Sequence, residues 1–472
     1  MLFQSYEYLL LLIFVLISIR FIPNLYIKKI IILIASLFFY AYGSHWQTFL
    51  FLGVIIATYI IAIIIEKYHN KAFFIVSLLL VFSPLFLYKY IPFLLSSLCD
   101  IDIYDKFILP IGISFYTFQS VGYLIDVYQK KTSAVRNFLT YACFISFFPQ
   151  LIAGPIERAN SLAGQIETLN KPTDEDYSIG FRHILLGLCL KLLVAETVAS
   201  FVDPVYNNIN NQSGLSILIA TLLFGIQIYC DFNGYTLIAI GSARLLGIKL
   251  ITNFNHPYNA ISITDFWRRW HISLSTWFKD YVYIPLGGNR KSLPRASFNI
   301  ITTFSLSGIW HGANWTFLIW GFVNGLVIAL EKIFIIKRLT NKVFCGIYAI
   351  ITFILINLFW LFFRANNVLD AFTAIKAIFS STTSTILSIS NFREAYSFFL
   401  SSGWSRYKVI SLLVALIIYL WYEYGKHIRL GLFDLMNSKR TFIRWIIYIL
   451  ITIITLYFGS IIEQSDFVYF RF

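Results

Sequence analysis

The chain has 472 residues, of which 58% are hydrophobic and 13% charged, and it carries a formal charge of +14. Soluble domains carry about 25% charged residues, so a chain with water as its main solvent is excluded. The basic residues sit in short clusters between apolar runs rather than along one stripe, which fits positive-inside membrane orientation and not nucleic-acid binding.

Apolar runs fall at 8–22, 30–43, 48–65, 72–88, 107–127, 138–153, 183–202, 215–230, 235–248, 298–310, 315–336, 344–363, 407–424 and 445–462. A hydrocarbon core of about 30 Å needs roughly 20 helical residues, so with some runs re-entrant or interfacial about eleven or twelve crossings are expected. The runs lack alternating polarity, and backbone groups in lipid must be satisfied within their own segment, so the fold class is an all-α integral membrane protein rather than a barrel. The first run is read as a retained span, because no small-residue cleavage site follows it. No linker divides the chain and no internal repeat is visible, so residues 1–472 are expected to form a single membrane domain, with 463–472 as an aromatic tail.

Basic clusters at Lys28 and Lys29, at Lys130 and Lys131 with Arg136, at Lys337 and Arg338, and at Lys439, Arg440 and Arg444 mark expected cytosolic loops. The five cysteines, Cys99, Cys143, Cys189, Cys230 and Cys345, lack paired metal-ligand spacing, so no metal site is expected.

Two segments break the lipid pattern. The first, Asn253 to Leu293, is dense in Trp, Arg, His, Asp and Gly. On a continuous helix Trp267, Trp270, His271, Leu274 and Trp277 share one face, and Arg268, Ile272, Ser275 and Lys279 take another. Such a segment lies flat or partly sunk rather than spanning, and taken alone it is an interfacial anchor with aromatic and basic belts. Pro285, Gly287 and Gly288 then mark a tight turn. The second segment places His311 between Gly308 and Gly312 within apolar sequence. An ionisable side chain at bilayer depth is costly and faces a bundle interior or cavity. The glycines allow backbone or a ligand to approach closely; the alternative is a histidine hydrogen-bonded within helix packing.

At the carboxyl end, Lys439, Arg440 and Arg444 precede the last apolar run, and Glu463 and Asp466 follow it, which puts the tail on the periplasmic side. The tail reads Phe467-Val468-Tyr469-Phe470-Arg471-Phe472, and by itself it is an interfacial aromatic anchor.

Three stretches together resemble the membrane-bound O-acyltransferase family, in particular its bacterial branch that modifies exported polysaccharides. They are Phe266-Trp267-Arg268-Arg269-Trp270-His271-Ile272-Ser273-Leu274-Ser275, Tyr283-Ile284-Pro285-Leu286-Gly287-Gly288-Asn289-Arg290 and Ser307-Gly308-Ile309-Trp310-His311-Gly312. Phe148 to Ile156 and Tyr229-Cys230-Asp231-Phe232-Asn233-Gly234-Tyr235 support them, and the resemblance covers essentially the whole chain.

The resemblance implies tilted, re-entrant and interfacial helices around a central funnel in which a cytosolic donor and an external acceptor meet. It maps the family's catalytic histidine onto His311 and a second polar position onto His271. Trp310, Asn314, Asp231, Trp267 and Arg268 are candidate substrate-binding residues. Asp231 either orients a partner or caps a broken helix; Glu157 and Arg158 read as a structural ion pair or surface loop. The tail resembles a motif that carries an acyl group in related three-component systems, which makes Tyr469 a candidate acyl carrier. A phenol, with a pKa near 10, is a better leaving group than an alcohol and keeps much of a thioester's transfer potential.

The expected activity is therefore an O-acetyltransferase in a bacterial inner membrane that binds no cofactor and takes acetyl-CoA as donor. It passes acetyl through Tyr469 to a periplasmic acetyltransferase partner, and so to a polysaccharide, with peptidoglycan favoured over an alginate-type exopolysaccharide. No hydrolase-like domain or Gly-x-Ser-x-Gly elbow for the second transfer is present in the sequence. The alternative from another class is a polytopic transporter without acyl-transfer chemistry.

Overall fold

The structure is a computed structural model that describes residues 1–99, 101, 108–152, 154–334, 342–389, 391, 394, 405–424, 436, 441–461 and 467–468. Every regular element among the described residues is helical. Among the described residues, eight helices are long and apolar enough to cross a membrane: Leu25–Ser44, Gln47–Tyr68, Lys71–Cys99, Asp174–Tyr206, Gly214–Leu245, Trp315–Ile333, Lys342–Arg364 and Arg406–Tyr424. The sequence suggested about eleven or twelve crossings; the difference lies in apolar runs that form shorter helices, such as Tyr6–Phe21, Ile113–Tyr128 and Phe138–Ser146. No candidate span falls in 246–314.

The chain forms two compact units, each assembled from stretches that are separated in sequence, which is why no linker announces a boundary. The first comprises Met1–Ile184, Tyr235–Asn253 and Ser273–Tyr281. Buried Lys29, 4% exposed, donates from Nζ to Thr140 Oγ1 and to the exposed Glu167 Oε2, both at 3.0 Å. Lys29 was expected in a cytosolic loop; it lies instead one turn inside the helix Leu25–Ser44, its charge matched by Glu167. Glu157 and Arg158 form no side-chain ion pair with each other. Buried Glu157 accepts from the Ile251 backbone N–H at 2.6 Å. Arg158 binds Asp280 at 2.8 Å and covers the Tyr281 ring at 4.3 Å.

The second unit comprises Leu185–Gly234, Phe254–Ile272 and Val282–Phe472. A helical hairpin, Leu293–His311 followed by Trp315–Ile333, forms one wall, and its closeness is set by glycine. A Cβ at Gly308 would lie 2.2 Å from the Phe317 carbonyl oxygen, and one at Gly321 would lie 2.3 Å from that of Phe304. Of the two uses foreseen for glycine beside His311, the structure realises backbone approach at Gly308. Asn314 caps the second helix, its Oδ1 accepting from Thr316 N at 3.1 Å while its Nδ2 donates to Asn366 O at 3.1 Å.

Candidate active site

Sequence periodicity suggested one continuous helix through Trp267 and Trp277. The chain instead breaks between them. Ile263–Arg269 ends where Trp270 turns extended, and a second helix begins at Ile272. His271 sits in the break with φ of +43°, a left-handed conformation that disfavours any residue with a Cβ. Strain of this kind persists only where surrounding packing over-determines it, and it concentrates at functional sites. The packing is visible on the amino-terminal side. Glu331, buried, accepts from Ile263 N at 2.7 Å, Thr264 N at 2.9 Å and Tyr348 Oη at 2.7 Å, which fixes the start of the helix that ends at the break. The burial expected of the aromatic face holds despite the break: Trp267, Trp270, His271, Leu274 and Trp277 are all buried, whereas Arg268 and Lys279 are exposed.

His311 is the last residue of Leu293–His311, and Gly312 leaves the helix in an extended conformation. The imidazole of His311 meets Trp310 at 5.0 Å, Trp320 at 5.2 Å and Phe363 at 5.5 Å, all edge-to-face. On its remaining side stands His271, 6.4 Å away between ring centroids. Each nitrogen lies about 1.2 Å from its ring centre, so the nearest nitrogens of the pair are about 4 Å apart or more, beyond direct hydrogen-bond reach. A single oxygen bonded to both at about 2.8 Å fits that gap, as do the two oxygens of one tetrahedral carbon. Trp310 and His271 also face each other at 6.1 Å.

Trp267 stands behind this pair. Its ring meets Trp320 at 5.4 Å, and its Nε1 donates to Asn324 Oδ1 at 3.0 Å, which locks the wall that supports His311. Burial disfavours the protonated form of His271 and pushes its pKa down to about 3, so this imidazole is neutral at physiological pH and offers an N–H rather than a charge.

Of the other sequence candidates, Asp231 lies within the unbroken helix Gly214–Leu245 and so does not cap a broken one. Its Oδ1 pairs with Lys191 Nζ at 2.8 Å, and its Oδ2 accepts from the Val468 backbone N–H at 2.7 Å. The next residue, Phe232, places its ring 4.7 Å from His271 and 5.9 Å from Phe467. Phe467 and Val468 are 0% and 2% exposed, so this part of the tail packs inside the second unit rather than against lipid. Tyr469 lies outside the described residues. Arg268, exposed, stands apart from the paired histidines, and Asn314 is engaged as a helix cap. Lys191 and Glu196 were not among the sequence candidates; the available signal was two charged residues inside an apolar run.

Two imidazoles spaced for one reacting centre, in an aromatic and apolar surround, suit proton transfer and acyl chemistry. The chain belongs to the membrane-bound O-acyltransferase family, whose model matches residues 129–370. It is a multi-pass membrane protein and an O-acyltransferase, which sets aside the transporter alternative. The chain is 36% identical over 396 residues to a probable alginate O-acetylase AlgI of Pseudomonas aeruginosa, covering 81% of this chain and 76% of that protein. It is 35% identical over 393 residues to a peptidoglycan O-acetyltransferase of Helicobacter pylori, covering 74% and 73%. A teichoic acid D-alanyltransferase of Bacillus subtilis is 28% identical over 264 residues, covering 53% and 66%.

Proposed function

We propose that this chain takes acetyl from cytosolic acetyl-CoA, carries it on Tyr469, and delivers it to a periplasmic acetyltransferase that esterifies a polysaccharide hydroxyl, in a bacterial inner membrane. The observation that supports this reading is that Phe232 touches both His271, the neighbour of His311, and Phe467, the residue two before Tyr469.

In the first transfer His311 accepts the phenolic proton of Tyr469 as its oxygen attacks the thioester carbonyl, a role worth about 10²–10⁴ in rate. The N–H of neutral His271 faces the oxygen that gains negative charge. The carbon–sulfur bond then breaks, and the CoA thiolate takes the proton held by His311. The products are free CoA and an acetyl-tyrosine ester, with the imidazole neutral again. In the second transfer a hydroxyl replaces the phenol, Tyr469 is regenerated, and the acetyl ester passes outward. The candidate substrate-binding residues divide by position: Trp310 and Trp267 shape the aromatic wall, Asp231 holds the tail, and Arg268 faces outward from the site.

The matches to alginate and peptidoglycan acetylating relatives are of similar extent. Peptidoglycan is the acceptor favoured here, and an alginate-type polymer is the alternative. The test is Tyr469→Phe in the native host. Ester-linked acetate is measured separately on purified wall and on secreted polymer, with mass spectrometry of the carboxyl-terminal peptide. The reading expects acetate to vanish from the wall and the peptide to lose its acetyl adduct. Loss from secreted polymer alone moves the acceptor to the alternative, and wild-type acetate on both with no adduct in the parent overturns the carrier role.

A further inference from the structure

Lys191 and Glu196 lie in the span Asp174–Tyr206, at a π-helical turn, Cys189–Ala195, and the residue after it. Lys191 Nζ contacts Glu196 Oε1 at 2.6 Å and Asp231 Oδ1 at 2.8 Å, and all three side chains are at most 2% exposed. Gly234 permits the approach, because a Cβ there would lie 2.8 Å from the Gly187 carbonyl oxygen and 3.1 Å from the Lys191 backbone nitrogen. The three groups include two carboxylates and one ammonium. A buried carboxylate is tolerated only where charge or hydrogen bonds compensate it. Asp231 divides its oxygens between two such partners, Oδ1 facing the ammonium and Oδ2 accepting the N–H of Val468 at 2.7 Å.

We propose that the Lys191–Asp231–Glu196 triad is a latch for the carboxyl-terminal tail: Lys191 and Glu196 hold Asp231 at a fixed position, and Asp231 grips the Val468 backbone so that the following residue, Tyr469, is presented to the acyl-transfer site. The inference rests on the acyl-carrier role of Tyr469 proposed above. Asp231 and Lys191 act here as positioning residues. The grip is on backbone, so it sets the register of the tail without reading its side chains. Phe467 supplies the apolar half of the contact through Phe232.

The test uses the purified full-length protein in detergent and has two readouts: amide hydrogen exchange of the carboxyl-terminal peptide by mass spectrometry, and acetyl on that peptide after one turnover with acetyl-CoA. Val468→Pro removes the donated N–H and leaves the triad untouched; Asp231→Ala removes the acceptor; Asp231→Asn keeps an acceptor oxygen. A hydrogen bond to a charged group is worth roughly 10- to 100-fold in occupancy. The parent is expected to exchange slowly in this peptide. Val468→Pro and Asp231→Ala should exchange faster there, with adduct formation lower by about that factor, and Asp231→Asn should fall between. Should Asp231→Ala fail to fold, Val468→Pro decides alone. A Val468→Pro tail as protected and as acetylated as the parent's overturns the latch. Release of the tail in Val468→Pro, together with absence of any adduct on the parent's Tyr469, upholds the latch and overturns the carrier role.

Discussion

His271 and His311 face each other at 6.4 Å between ring centroids, and each reaches that position by a different local device. His311 terminates a helix whose partner is drawn close by glycine, whereas His271 occupies a left-handed break between two short helices. The spacing of the pair thus depends on features remote from either ring.

The hairpin contact at Gly308 is the first such feature. A Gly308→Ala methyl would lie 2.2 Å from the Phe317 carbonyl oxygen, a backbone atom that cannot swing aside. Overpacking of this kind costs about 1–3 kcal/mol. The variant should show a lowered melting temperature in detergent and a fall in acyl transfer larger than its loss of folded protein, because His311 lies one turn away. An unchanged melting temperature would mean the hairpin opens freely.

Glu331 is the second. It accepts two backbone N–H groups and two hydroxyls at the start of the helix leading to His271. Glu331→Ala leaves buried donors without an acceptor and should cost about 2–4 kcal/mol. Glu331→Gln, with one acceptor oxygen, should recover part of that. Chemical denaturation in mixed micelles measures both.

Acid should expose the burial of His271. Its folded-state pKa is depressed from 6.5 to about 3 by desolvation, so the unfolded chain binds a proton that the folded chain refuses. Its contribution to stability is complete above about 6.5 and is lost progressively as pH falls toward 3. His271→Gln should therefore show a shallower decline in melting temperature between pH 7 and pH 4 than the parent. An equal or steeper decline would contradict the burial.

Much of this arrangement was legible in the residues themselves. Hydropathy indicated a helical membrane protein, and the cost of a histidine in apolar sequence drew attention to His311. The spacing of Trp267, Trp270, His271, Leu274 and Trp277 anticipated which side chains are buried. Periodicity could not show the break at His271, because neither glycine nor proline marks it. Lys29 was misplaced for a related reason: a lysine near a helix start looks like a loop cation until its partner, Glu167, is brought to it from far along the chain. The contact between Asp231 and Val468 spans 237 residues and leaves no local trace.

In the proposed reaction the His311 imidazole moves the proton in acyl transfer. The most direct measurement is single-turnover transfer from radiolabelled acetyl-CoA to the purified full-length protein, comparing parent with His311→Ala of equal melting temperature. The rate is expected to be lower by at least about 10²-fold. A label appearing on the His311→Ala protein at the parental rate would contradict it.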